Sequence, residues 1–179
     1  MFQTYKVTFL VLGFLSFALT NCAEEKKNDL AVLSIVFSKH GSLGEIKEIP
    51  QPTLDTVTLI LDDTSIELLN QEECKTGNLG IIVSKDAGSV TPILNIHLID
   101  MSKNSGIFLE TQTPTTGSHM DLDHTDGETY NVVQDCPATV MENTPQIYDL
   151  QVLNCKIADQ FGGGSNQKNM SFRVRCTKG

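Results

Sequence analysis

The sequence predicts an all-β fold: an antiparallel β-sandwich, or a partly open barrel, of roughly nine to ten short strands. Three observations predict it. Apolar and polar residues alternate from Leu54 onward, turn-forming clusters separate these stretches at short and even spacing, and no long amphipathic helical period interrupts them. At 179 residues the chain has the size of one domain, since single cores are typically built from roughly 100–200 residues.

"TVTLILDD" opens the pattern, with Val57, Leu59 and Leu61 on one face and an Asp-Asp turn at its end. "SIELLN" follows with Ile66 and Leu68 sharing a face, and "LGIIVSK" is a short apolar strand. In "VTPILNIHLID" the residues Leu94, Ile96 and Leu98 lie on one face and Asn95 and His97 on the other. Pro92 near its start suits a strand beginning or a sheet edge. "GIFLET", "HMDLD", "ETYNVV", "ATVMEN", "IYDLQVLNCKI" and "MSFRVRC" complete the set, separated by "KNSG", "TDGE", "NTPQ" and "FGGGSNQKN". In the last strand Phe172, Val174 and Cys176 face one way, and Arg173 and Arg175 the other. Upstream, "LAVLSIVFSKHG" reads as a short helix or strand ending at Gly41, and "GSLGEIKEIPQP" as a linker punctuated by glycine and proline.

The first residues carry an address. "MFQTYKVTFLVLGFLSFALTNC" has one basic residue, Lys6, then an uncharged apolar run from Val7 to Leu19. That run has the length of an export signal's hydrophobic region and is short of the roughly 20 residues a spanning helix needs. It ends in "LTNC", Leu19 to Cys22, which resembles the lipobox of bacterial lipoproteins, with Asn21 where that motif usually has a small residue. The resemblance covers residues 1–22. It implies that the signal is cut before Cys22, that the Cys22 thiol receives diacylglycerol, and that the protein is held on a membrane of the bacterial envelope. The outer membrane is the expected one, with the domain facing the periplasm or the cell surface. The alternative is ordinary secretion, with cleavage after Ala23 and no lipid. The expected organisation is a removed signal over 1–21, a lipidated, charged tether and linker over 22–52, and the β-sandwich over 53–179.

Charge and composition exclude several classes. The formal net charge is −9, from 13 Lys and Arg against 22 Asp and Glu. Nucleic-acid binding depends on basic side chains displacing condensed counterions, so a nucleic-acid partner is not expected. No basic amphipathic stretch suits an anionic lipid surface. There is no GxSxG elbow, Ser-x-x-Lys or HExxH, and the glycines at 162–164 lack the Lys-Ser/Thr and helix of a phosphate loop. Past residue 22 the aromatic residues are Phe37, Phe108, Phe161, Phe172, Tyr130 and Tyr148, with no Trp, which is sparse for a stacking platform. Phe161, in the glycine-rich segment, is expected to fold back over the core.

Five cysteines minus Cys22 leave Cys74, Cys136, Cys155 and Cys176, an even set that in an exported chain suggests two disulfides. If the hairpin over 136–155 turns at 143–146, Cys136 lies near Cys155, which leaves Cys74 for Cys176. No cysteine remains for nucleophilic catalysis.

The densest group of metal-ligand side chains is "HMDLDHTDGE", residues 119–128. Strand alternation sends Met120 and Leu122 one way and His119, Asp121 and Asp123 the other. A turn at Asp126-Gly127 would set Leu122 opposite Tyr130 and Met120 opposite Val132, burying both apolar faces at once. The cluster is therefore read first as half of a hairpin. The competing reading is a metal site drawn from His119, Asp121, Asp123, His124, Asp126 and Glu128: Ca²⁺ on Asp123, Asp126 and Glu128, or Zn²⁺ on His119 and His124. His97 and His40 are read as structural. The functional expectation is a non-enzymatic envelope lipoprotein, a binding module or structural component. It would have no catalytic residue, no cofactor beyond the lipid on Cys22, and a protein or small-molecule ligand at its loops. The alternative is a metal-dependent enzyme centred on the 119–128 hairpin.

Overall fold

In the computed structural model, residues 48–111, 117–162 and 164–179 are described. Alternating side chains build eleven strands there: β1 Thr56–Leu61, β2 Thr64–Leu68, β3 Asn70–Cys74, β4 Ile81–Ser84, β5 Ile93–His97, β6 Ile107–Leu109, β7 His119–Asp123, β8 Thr129–Val132, β9 Cys136–Asn143, β10 Ile147–Asp159 and β11 Gln167–Thr177. No helix occurs among the described residues. Every strand pair is antiparallel. The order in the sheet is β2-β1-β11-β10-β8-β7-β5-β4-β3, with β9 also on β10 and β6 on β9.

This single sheet folds over on itself into a sandwich, and β10 shows how. Its 13 residues span about 40 Å when extended. Residues 148–152 pair with β9, and residues 157–159 pair with β8. Between Val152 and Cys155 the ladder to β11 changes register. Asn154, inside that bulge, has φ +52°, a left-handed conformation asparagine tolerates better than most residues, and its N–H donates to Ser171 Oγ at 2.8 Å. The bulge bends the strand so that it serves both layers. At the other margin β3 lies against the end of β11: Gln71 Nε2 donates to the Thr177 carbonyl, and the Gly179 N–H to that of Cys74. The two inner faces meet in one apolar core that includes Leu59, Leu94, Leu122, Tyr148, Phe172 and Val174.

Two disulfides staple the fold, Cys74–Cys176 from β3 to β11 and Cys136–Cys155 from β9 to β10. These are the pairs the hairpin spacing suggested. Stable pairs of this kind belong to chains that fold in an oxidising compartment, outside the cytosol.

Eleven strands replace the nine to ten expected because β3, "NQEEC", has no apolar alternation to betray it. Strand alternation puts Leu98 on the core face with Leu94 and Ile96. The strand instead stops at His97, Leu98 turns to φ +55°, and Ile99 takes the buried position. Residues 48–52, expected as linker, lie on the sandwich, and Ile49 is 0% exposed. The Ile49 N–H donates to Gln151 Oε1 at 2.8 Å, and its carbonyl accepts from Arg173 Nη1 at 2.8 Å. Beneath this strap Arg173 grips Asp149 with two parallel bonds, Nε to Oδ1 and Nη2 to Oδ2, both 2.9 Å. Arg173 does point away from the core, as alternation requires, but the strap buries it. The expected signal, Cys22, the tether and the apolar segment 30–41 with Phe37 and His40 lie outside the described residues.

Candidate functional site

The outer face of β5, β7 and β8 collects most of the polar chemistry, and register explains why. "ILNIH" and "HMDLD" run antiparallel with Ile93 opposite Asp123, Leu94 opposite Leu122, Asn95 opposite Asp121, Ile96 opposite Met120, and His97 opposite His119. Leu94, Ile96, Met120 and Leu122 fill the core. The remaining residues are forced onto the other face by the two-residue period. On the next strand Asp121 is opposite Asn131, and Leu122 is opposite Tyr130, the register anticipated for the hairpin. Met120 and Val132, its next expected pair, are both buried.

On that face the His97 and His119 rings stack, with centroids 4.9 Å apart and planes 21° from parallel. Asp121 sits on the diagonal. Its Oδ1 is 2.8 Å from His97 Nε2, and its Oδ2 accepts from Asn95 Nδ2 at 2.6 Å. Asn131 Oδ1, on the neighbouring strand, is buried without a hydrogen-bond partner among the described residues.

The rest of the 119–128 stretch separates from this group. Asp123 accepts from Thr129 Oγ1 at 2.7 Å, across the hairpin. His124 and Asp126 belong to the tip, where Asp126 Oδ2 accepts from Tyr130 Oη at 2.9 Å and lies 3.0 Å from His124 Nδ1. The Asp126 Oδ1 atom accepts the Glu128 N–H at 3.0 Å. Gly127 has φ +86°, the left-handed geometry this turn needs and glycine supplies. Burial tends to raise the Asp126 carboxyl, but bonds from the Glu128 N–H, Tyr130 and His124 outweigh it and hold the pKa below the ordinary value. Glu128 is half-buried beyond the turn. The six expected ligands thus fall into three places: His119 and Asp121 on the sheet face, Asp123 between strands, and His124, Asp126 and Glu128 at the tip. Among the described residues, no group of three or more His, Cys, Asp or Glu side chains is placed so that it could hold a metal ion.

Sequence reasoning missed the role of His97, which it treated as solitary. The mirrored patterns "ILNIH" and "HMDLD" carried the signal, because pairing their leucines puts the histidines opposite each other. Phe161, expected to fold over the core, is 81% exposed. It sits in the β10–β11 turn, which touches the hairpin tip where the Gln160 N–H donates to the Thr129 carbonyl and Asn166 Nδ2 to Tyr130 Oη.

At the far end of β10 an open depression of about 480 Å³ is lined by Lys75, Thr76, Met101, Ser102, Lys178 and Gly179. Both lysines are engaged, Lys75 with Glu73 and Lys178 with Asn143 Oδ1 and the Thr144 carbonyl. The Lys178 ammonium also stands over the ring of Tyr148, whose hydroxyl is buried without a hydrogen-bond partner among the described residues. Burial pushes both buried tyrosines up to about 12, with the Asp126 bond and charge adding at Tyr130 and the Asp100 charge at Tyr148. Because the folded values exceed the unfolded one near 10, this stabilisation is complete below pH 10 and is lost as the pH rises towards 12. Each tyrosine should remove about 1.4 kcal/mol per pH unit across that window. Ultraviolet titration at 295 nm checks this: in the native protein these two phenols should ionise near 12, and in denaturant near 10. Native ionisation of both at 10 would contradict their burial.

Comparison with protein-family models, with curated proteins and with solved structures finds no match. The class that fold and site define is therefore a disulfide-stapled, all-β sandwich of an exported protein.

Proposed function

We propose that the protein is a non-enzymatic lipoprotein of the bacterial envelope, anchored through diacylglycerol on Cys22, whose sandwich is a binding module. The observation that carries this reading is the fate of the cysteines. Four are consumed in two disulfides, while Cys22 alone stands directly behind an uncharged apolar run, in "LTNC". A lipid adds about 0.8 kcal/mol of membrane affinity per buried CH₂, and two or more chains hold a protein stably. Removal of residues 1–21 takes Lys6 with it and leaves 12 Lys and Arg against 22 Asp and Glu, an acidic body suited to standing off an anionic bilayer. Ligands are taken at the loops, where a rigid sandwich usually carries its contacts, and Phe161 beside the 124–128 turn is the apolar group best placed to meet one. The outer membrane is the proposed location.

The test is metabolic labelling with an alkyne palmitate analogue, followed by fractionation. The wild-type chain should carry label and sediment with membranes. Cys22→Ala should carry none and appear in the soluble exported fraction. Equal labelling of the two, or an unlabelled wild type released in soluble form, would overturn the anchor and leave a secreted β-domain.

A further inference from the structure

We propose that the tip formed by the β10–β11 turn and the 124–128 turn docks a different folded protein, whose surface offers an apolar pocket for Phe161 rimmed by Lys or Arg. This deepens, and rests on, the reading of the sandwich as a binding module. Phe161 is 81% exposed, against 48% for Phe108, and aromatic rings dominate interface energies when they leave water. Such a ring serves best if the chain already holds it in place, and its turn is braced on both sides. Asp159 and Asn166 close the turn with reciprocal bonds, the Asp159 N–H to the Asn166 carbonyl at 3.2 Å and the Asn166 N–H to Asp159 Oδ1 at 3.3 Å. Within it Ser165 Oγ donates to the Gly162 carbonyl at 2.9 Å. Towards the hairpin, the Gln160 N–H donates to the Thr129 carbonyl at 2.8 Å, and Asn166 Nδ2 to Tyr130 Oη at 2.7 Å. Tyr130 Oη in turn donates to Asp126. The two turns are thereby tied into one unit, and little ordering entropy is left to lose when the ring is buried.

Charge selects the partner. The charges of Asp126, Glu128 and Asp159 all reach the Tyr130 hydroxyl, which sets three carboxylates about this tip. Among the described residues none of the three is in an ion pair with Lys or Arg; His124 lies beside Asp126, and Lys168 stands 5.3 Å from the Tyr130 ring centroid. An anionic bilayer would repel this tip, and one ring buries too little apolar surface to hold a membrane. A second copy of the chain, meeting tip to tip, would bring like charges together. A protein surface with cations around an apolar pocket answers both features, the ring by burial and the carboxylates by complementary charge at the rim.

The test places the photo-reactive p-benzoyl derivative of phenylalanine at position 161, and separately at position 108, of the full chain in intact cells. After irradiation, mass spectrometry identifies the joined peptides. Position 161 should join one protein, at an apolar site flanked by Lys or Arg. Adding Asp126→Asn/Glu128→Gln should cut that yield by about tenfold. If this double variant does not fold, high salt in isolated envelopes should lower the yield in the same way. Adducts with lipid, joining to a second copy of the chain, a contact without Lys or Arg, a yield indifferent to charge removal and salt, or no adduct at position 161 would each overturn the docking tip. Joining from position 108 alone would do so while leaving the binding module intact; joining from neither would remove both.

Discussion

Replacing Arg173 with leucine should destabilise the domain by about 3–5 kcal/mol, the usual effect of leaving one partner of a buried ion pair alone. Asp149 beneath it is 0% exposed, and the arginine supplies both of its close charged bonds. Without them a carboxylate would be stranded away from water, or would have to take a proton to stay buried. The same substitution removes the donor to the Ile49 carbonyl, so the strap over the outer face loosens as well. Arg173→Lys should recover little, because an ammonium cannot reproduce the two parallel bonds of the guanidinium. The informative comparison is the double variant Asp149→Leu/Arg173→Leu. With no orphaned charge it should regain much of the loss, and urea denaturation of the parent, Asp149→Leu, Arg173→Leu and the double variant measures the coupling directly. A loss below about 1 kcal/mol for Arg173→Leu would mean that the pair behaves as an exposed one.

Removing the Cys74–Cys176 bond by double serine substitution should cost about 2–5 kcal/mol, towards the upper end on the loop-entropy model because 102 residues separate the two cysteines. For a domain of this size that lowers the melting temperature by roughly 10–15 °C. The Cys136–Cys155 bond closes a separation of only 19 residues, between strands already paired, and should cost less, about 3 kcal/mol. Calorimetry of the two double variants checks the order. An equal or reversed order would show that unfolded-chain entropy does not govern these bonds. The long bond has a second duty: it ties the polar edge strand β3 to β11 across the sandwich, where few apolar side chains of β3 contribute.

What the sequence revealed and concealed follows from where the apolar residues lie. Strands with one buried face, such as β1, β5 and β7, announce themselves by alternation, and so does the β7–β8 register through Leu122 and Tyr130. β3 stayed hidden because partner strands and a disulfide hold it in place. The strap stayed hidden because Ile49 is a single apolar residue in a segment punctuated by proline, and its anchors Asp149, Gln151 and Arg173 are more than ninety positions away. The candidate site was half legible. His119 and Asp121 stood out by density, whereas His97 gains meaning only when non-adjacent strands are paired. Density also drew in His124, Asp126 and Glu128, whose hydrogen bonds serve the turn.

The position of β11 has a consequence for how such a chain is delivered. It runs between β1 and β10, setting Thr56 beside Arg175 and Leu150 beside Val174. The earliest strand of the domain therefore waits for the latest before its inner edge is closed. A polypeptide threaded through a translocation pore from its N-terminus cannot complete this sheet until residues 167–177 have also crossed. Contacts this distant in sequence form on the slow side, in milliseconds to seconds. The topology thus leaves β1 without its second partner until residues 167–177 are available to pair with it.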